Sequence, residues 1–250
     1  MKAYKYLTCL ALASLSLSAC TDLDETVYSE VSANNYFNTR EDVVAMAFRS
    51  FEHGYWTIVP RFRMNELSGD QLIIPRRDGS WDDGGVWRQF HYHTWTPDIT
   101  RHVHDEWDAC FAGIAQANFA MDRFNELSPD KFGFGEEEWN SLKTQNRVLR
   151  CWYYLRLLDG FRNIPFSVSY DDPSQNSMAQ VEPQFVFDFI ERELTESIPL
   201  LYKKESLGSG SQYANLWTQG GAAALLVRLY LNAKEYIGVD RLADCEKVAQ

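Results

Sequence analysis

The most constraining feature of this sequence is a series of segments whose apolar residues recur every three or four positions. Between His104 and Leu127 this spacing predicts a long helix that ends at a Ser-Pro pair. A second helix is predicted from Glu136 to Gly160, and its second half is apolar nearly all round, which is typical of a helix packed on several sides. We therefore expect this second helix to be a central element of the fold.

Further helical segments follow along the chain. A stripe of apolar residues ending at Pro199 predicts one helix, a second is predicted from about Trp217 to Tyr236, and a third begins at Asp240. Helix-turn-helix units that stack on one another are typical of tetratricopeptide-like proteins. Because the spacing of the units is irregular, we predict an all-α fold of divergent tetratricopeptide-like helical repeats with long inserted loops.

The first helix and the segment after it differ sharply. Thr39 is a good N-cap with Asp42 three residues later, and the helix that starts there is predicted to end near Gly54. From Pro60 to His104 the helical periodicity disappears, and glycine, proline, aspartate and aromatic residues accumulate. Long irregular segments within a domain are usually functional or disordered, and the aromatic content here argues against disorder. We therefore predict a functional loop.

The N-terminal residues are typical of a targeting segment. Lys2 and Lys5 precede an apolar stretch, and Leu-Ser-Ala directly before Cys20 forms the lipobox of bacterial lipoproteins. The alternative is an ordinary secretory signal in which the cysteine is incidental. We expect residues 1–19 to be removed as a signal peptide and Cys20 to be diacylated, so that lipid chains anchor residues 20–250 to a membrane.

Charge and cysteine usage exclude some functions. The chain has 24 Lys and Arg against 35 Asp and Glu, a formal charge of −11, and no basic stripe of the kind that binds a phosphate backbone, so a nucleic-acid partner is not expected. The cysteines that remain after the lipidated one lie in apolar helical patterns, where a cysteine usually acts as a small core residue. No CxxC pair indicates structural zinc. These cysteines are Cys110, Cys151 and Cys245.

The segment from Asp78 to Asp98 contains residue types that bind carbohydrate. Flat aromatic side chains cover the apolar side of a sugar ring, while carboxylates and amides pair with its hydroxyls. The alternative is that these aromatic residues pack the loop onto the helices. The candidates for ligand binding are Trp81, Asp82, Asp83, Trp87, His91 and Trp95.

Two pairs of alternating histidines are the most metal-like feature. His91 and His93, and likewise His102 and His104, would point to one face if they lay in strands, where zinc could bind with a nearby carboxylate. Because there is no HExxH spacing, loop hydrogen bonding is favoured and we predict no metal site. There is also no GxSxG, P-loop or dinucleotide motif. We therefore expect a non-catalytic protein that needs no cofactor.

Three pieces of the chain have a recognisable order. They are Trp107-x3-Phe111-x2-Ile114-x3-Asn118, the helix from Asn146 to Asp159 followed by Phe161-x2-Ile164-Pro165, and the alanine-rich stretch from Ala222 to Leu231. In this order, and together with the lipobox, they resemble the SusD/RagB family of nutrient-uptake outer-membrane lipoproteins.

The resemblance implies a function and a location. It implies a non-catalytic lipoprotein on the cell surface that captures oligosaccharide, or sometimes peptide, and passes it to a SusC-like TonB-dependent outer-membrane transporter. Because family members are usually much longer, we expect residues 20–250 to be the N-terminal α-helical domain, truncated at its C-terminal end. The alternative is a helical-repeat scaffold that binds only protein partners.

Overall fold

A computed structural model describes residues 37–81, 83–96, 101–171, 178–209 and 216–249. The signal segment 1–19, the lipid-attachment candidate Cys20 and the ligand-binding candidate Asp82 lie outside the described residues. All elements below belong to the unit Asn38–Gln250. The helices are α1 (Arg40–Ser68), α2 (Val86–His91), α3 (Arg101–Glu126), α4 (Glu136–Phe161), α5 (Pro183–Ser197), α6 (Gln219–Leu231), α7 (Ala233–Ile237) and α8 (Leu242–Ala249), and the strands are β1 (Ile164–Pro165) and β2 (Gln180–Val181).

The predicted all-α fold is confirmed. In the described part of the chain, strand structure is limited to a short antiparallel pair in which Ile164 lies opposite Val181. Helix α1 packs on α3, α3 on α4, α4 on α5, and α5 on α6, so that neighbouring helices stack along the chain. No helix in the described ranges is both long enough and apolar enough to span a bilayer.

Helix α4 is the centre of the fold, as its apolar second half predicts. Its residues Tyr153, Tyr154, Leu157 and Leu158 are fully buried in one core shared with α3, α5 and α6. A helix buried on several sides cannot keep a single apolar stripe, which explains why its sequence is apolar nearly all round.

Helix α1 begins where the sequence predicts. The Thr39 hydroxyl accepts a hydrogen bond from the Asp42 amide (3.2 Å), and the Asp42 carboxylate accepts one from the Thr39 amide (2.8 Å). Each side chain thus satisfies an otherwise unpaired backbone donor at the helix start. These backbone hydrogen bonds also lower the pKa of Asp42.

The predicted end of α1 near Gly54 is wrong, since the helix continues to Ser68 and includes Pro60. Gly54 marks a close approach between helices: a Cβ atom there would lie 3.4 Å from the Trp152 ring. A proline within a helix removes one backbone hydrogen bond, but contacts with α3 and α4 stabilise the second half of α1. Thr57, for example, accepts a hydrogen bond from Arg156 of α4.

The helix predicted from about Trp217 to Tyr236 is two helices. Thr218 caps α6 by accepting a hydrogen bond from the Gly221 amide at 3.2 Å, and the chain leaves helical geometry at Asn232 before α7 begins. The helix predicted to end near Pro199 is α5, and the helix predicted to begin at Asp240 is α8, which starts at Leu242.

Candidate functional site

A cavity of about 570 Å³ lies where the C-terminal half of α1, the start of α3 and the end of α4 meet. This volume is within the range of small-molecule binding sites. We call it the Trp95 cavity; the residues that line it and matter below are Arg61, Asn65, Phe90, Trp95, Asp159 and Phe161.

The polar wall of the Trp95 cavity is an ion pair between Arg61 of α1 and Asp159 of α4. The Tyr236 hydroxyl donates a hydrogen bond of 2.7 Å to the other oxygen of this carboxylate, so Asp159 is held from two sides. Gly160 makes room for the pair, because a Cβ atom there would lie only 2.9 Å from Nη1 of Arg61. Burial lowers the pKa of Arg61, but a guanidinium remains charged at neutral pH.

The aromatic rim of the cavity is Trp95, whose side chain is 45% exposed. Its ring centroid lies 5.8 Å from that of Phe90 and 5.5 Å from that of His93. His93 is tied to α1 by a hydrogen bond of 2.8 Å between Nε2 and the Ser68 carbonyl. The exposed indole is therefore fixed beside a charged and hydrogen-bonding wall.

The other two candidate tryptophans have different environments. Trp87 is only 5% exposed and packs with Leu67 and Phe90, and its ring stacks on His102 at a centroid distance of 4.7 Å. This packing corresponds to the alternative that the aromatic residues hold the loop against the helices. Trp81 is 67% exposed and does not line the Trp95 cavity.

The segment between α1 and α3, which carries the candidate tryptophans, has an unusual backbone. Among the residues that the structure describes between α1 and α3, five non-glycine residues have positive φ, where an L-amino acid is uncommon: Asp70, Asp78, Trp81, Asp83 and His93. Such conformations persist only where surrounding structure holds them, and they are frequent at binding sites.

Two further candidates for ligand binding are described by the structure. Asp83 is exposed at the start of the turn before α2, and the Nδ1 atom of His91 lies 3.2 Å from the Asp70 carboxylate.

The family of this chain follows from its match to a known family model. A family model described as "Starch-binding associating with outer membrane" matches residues 72–231, which is more than half of the chain. The chain belongs to the SusD-like family. Proteins of this family are carbohydrate-binding proteins that associate with the outer membrane. No curated protein sequence matches this SusD-like chain.

Solved structures have the same fold as this SusD-like chain. A laminarin-binding SusD-like protein aligns with a TM-score of 0.66 at 20% identity, over 86% of this chain and 43% of that protein. A SusD homolog from Bacteroides thetaiotaomicron aligns with a TM-score of 0.66 at 20% identity, over 88% and 42% of the two chains. The surface glycan-binding protein A from Bacteroides uniformis aligns with a TM-score of 0.66 at 18% identity, over 84% of this chain and 45% of that protein. The chain thus spans less than half the length of these relatives.

The histidine pairs are not on strands in this SusD-like chain. His102 and His104 lie on α3, where His102 is buried and His104 is exposed with its Nδ1 atom 3.0 Å from the Asp108 carboxylate. In the described ranges, no cluster of three or more His, Cys, Asp or Glu side chains is arranged to hold a metal ion. The zinc alternative required strands at these positions, and His102 and His104 lie on a helix instead.

The cysteines of α3 and α4 are core residues. Cys110 and Cys151 are fully buried and unpaired, and burial raises the pKa of both thiols, to about 12 for Cys151. Because the thiolate is the reactive form, these side chains are poor nucleophiles at neutral pH. Cys245 on α8 is also unpaired and only partly buried.

Proposed function

We propose that this SusD-like chain captures oligosaccharide at the cell surface without catalysis and delivers it to a SusC-like TonB-dependent transporter in nutrient uptake. The observation that supports this best is the Trp95 cavity, where an exposed indole lies beside the Arg61–Asp159 pair. Two of the similar structures are named for binding laminarin and surface glycan, which favours a carbohydrate over a peptide.

The cavity offers the two kinds of contact that a sugar needs. Trp95 presents a rigid aromatic surface that covers the apolar side of a sugar ring at low cost in side-chain entropy. Arg61 and Asn65 supply N–H donors, while the Asp159 carboxylate accepts hydrogen bonds from hydroxyl groups. Because Asp159 is already held by Arg61 and Tyr236, binding a sugar does not require this wall to become ordered.

Replacing Trp95 with alanine is expected to weaken oligosaccharide binding at least about tenfold. Removal of an aromatic anchor from a binding site typically costs more than about 1 kcal/mol, and about 1.4 kcal/mol corresponds to tenfold in affinity. Isothermal titration calorimetry with laminarihexaose and maltohexaose would measure the change.

The matched control is Tyr92→Ala, which removes an exposed aromatic side chain near Trp95 that does not line the cavity. Its affinities should equal those of the wild type. Trp81→Ala tests the second exposed candidate in the same assay. Unchanged binding by both tryptophan variants would contradict a carbohydrate site on this loop.

The proposed membrane attachment depends on Cys20. A diacylated N-terminal cysteine would hold the protein on the outer membrane, because each buried CH₂ group of a lipid chain contributes about 0.8 kcal/mol. The family's association with the outer membrane supports this anchor and a position on the cell surface.

A surface on α1 supports a protein partner. Its five members are large apolar side chains that lie on one side of the helix and are 50% to 72% exposed: Tyr55, Trp56, Ile58, Val59 and Phe62. We call it the α1 stripe. Contiguous exposed apolar surface of this kind is typical of protein interfaces. The α1 stripe also favours the second candidate function, a scaffold that binds only protein.

We expect a Trp56→Glu/Val59→Glu variant to lose the transporter. Two charges placed in an apolar interface would have to be desolvated on binding, which should reduce co-purification with the SusC-like transporter of the same cells at least about tenfold. The double variant should keep its affinity for hexaoses, since neither residue lines the Trp95 cavity.

Leu231→Glu, an exposed apolar residue at the end of α6, is the matched control and should co-purify normally. Equal loss in the double variant and the control would contradict a specific role for the α1 stripe. Co-purification of the wild type without binding to any glycan would favour the scaffold.

A further inference from the structure

A second cavity, of about 430 Å³, lies along α3 on the side that faces the residues after α4. We call it the Tyr154 cavity. Its wall is aromatic and its floor is made of small side chains, and no role has been given to it above. The residues used below are Trp107, Phe111, Ala112, Ala115, Asn118 and Tyr154.

The polar side of the Tyr154 cavity is rigid. The Tyr154 hydroxyl donates to the Ser167 carbonyl (2.6 Å) and accepts from the Ser167 amide (3.0 Å). Asn118, which is buried, accepts from Arg150 (2.9 Å) and donates through Nδ2 to the Ser167 carbonyl (3.1 Å). An amide nitrogen has two hydrogens, so Asn118 has one more donor than this contact with Ser167 uses.

The two cavities are neighbours that share an aromatic contact. Phe161 lines the Trp95 cavity and Trp107 lines the Tyr154 cavity, and their rings meet edge to face at a centroid distance of 4.9 Å. Along α3, Val103 lines the first cavity and Ala115 the second. At about 1.5 Å of rise per residue, these twelve positions span about 18 Å.

We propose that the Tyr154 cavity is a second carbohydrate subsite, so that the chain binds a linear oligosaccharide across both cavities. The Trp107–Phe161 contact would form the apolar floor between the two subsites. Trp107 and Phe111 provide aromatic surface, while the second Nδ2 hydrogen of Asn118 provides a fixed polar group that can orient a ligand. This proposal rests on the carbohydrate-binding function proposed above.

Occupation of two subsites makes affinity depend on ligand length. Contacts made by one linked ligand in a second cavity do not carry a second cost of association, so a hexaose should bind at least about tenfold more tightly than a triose of the same linkage. The pairs to compare by calorimetry are laminaritriose with laminarihexaose and maltotriose with maltohexaose.

Filling the second cavity should remove this length dependence. Ala115→Leu is expected to lower the affinity for the hexaose to that for the triose and to leave the triose affinity unchanged. Ala112→Leu fills the same floor from another position, so the test does not depend on one variant folding. Gln116→Leu, on the same helix but outside both cavities, should behave like the wild type.

The outcomes separate the two proposals. Equal affinity of the wild type for triose and hexaose, or a length dependence that survives in folded Ala115→Leu and Ala112→Leu, would overturn the second subsite and leave the Trp95 site standing. Failure of the wild type to bind either hexaose would overturn the carbohydrate function itself, and the second subsite with it.

Discussion

Replacing Glu106 with alanine is expected to lower the free energy of unfolding by about 3–5 kcal/mol. Glu106 of α3 is fully buried, and its carboxylate accepts hydrogen bonds from Nε (2.9 Å) and Nη2 (2.6 Å) of Arg156 on α4. The variant would leave the buried guanidinium of Arg156 without its counter-charge. Desolvation of an unpaired charge costs far more than the net contribution of the pair.

Urea denaturation would measure this loss, and two variants separate its causes. Glu106→Leu combined with Arg156→Met removes both charges and should recover most of the lost stability, since an apolar pair of similar volume is often as stable as a buried ion pair. Glu196→Ala removes an exposed carboxylate that pairs with Arg147 and should cost less than about 1 kcal/mol. A Glu106→Ala variant as stable as Glu196→Ala would contradict the expectation.

The Glu106–Arg156 pair also positions the candidate site. Nη2 of Arg156 donates to the Thr57 carbonyl of α1 at 2.9 Å, so one guanidinium joins α1, α3 and α4. The ends of these three helices line the Trp95 cavity. Loss of the pair should therefore weaken oligosaccharide binding even at temperatures where the variant remains folded.

Local patterns were sufficient to predict most helices and insufficient for the length of α1. The periodicity around α3 and α4 predicts both helices because their buried faces repeat within each segment. The second half of α1 lacks such a repeat and contains Pro60. It is held by Thr57 and Arg61, whose partners on α4 are 99 and 98 residues away in sequence, and tertiary contacts of this kind override local propensity.

The sequence indicates only part of the candidate site, because tertiary contacts decide which of its side chains are exposed. The composition of the loop selects Trp81, Trp87 and Trp95 together, but only the tertiary packing against Leu67 and Phe90 makes Trp87 a buried residue. The charged wall of the cavity was missed because its two members lie on different helices. The spacing of Arg61 and Asn65, four residues apart, becomes a signal once α1 is known to extend past Pro60.

Gly113→Ala is expected to destabilise the fold by about 3 kcal/mol, although alanine is the better helix former. Gly113 lies in the middle of α3, and a Cβ atom there would be 2.2 Å from Cζ of Tyr153 on α4. Tyr153 has no room to withdraw, because it is fully buried and its hydroxyl donates to the Ser50 carbonyl of α1 at 2.6 Å.

At position 113 the cost of overpacking the core exceeds the gain in helix propensity. Replacing glycine with alanine within a helix stabilises by about 1 kcal/mol, whereas overpacking a core costs about 1–3 kcal/mol and an unsatisfied buried hydrogen-bonding group another 1–3 kcal/mol. Gly220→Ala, at the start of α6 where no atom lies within 4 Å of a Cβ, measures the effect of helix propensity alone and should be neutral or slightly stabilising.

A double variant tests the contact with Tyr153 directly. Combining Gly113→Ala with Tyr153→Val should lower the free energy of unfolding by less than the sum of the two single changes, because the smaller side chain removes the overlap. Additive costs in the urea denaturation of these variants would show that contact with Tyr153 does not require glycine at position 113.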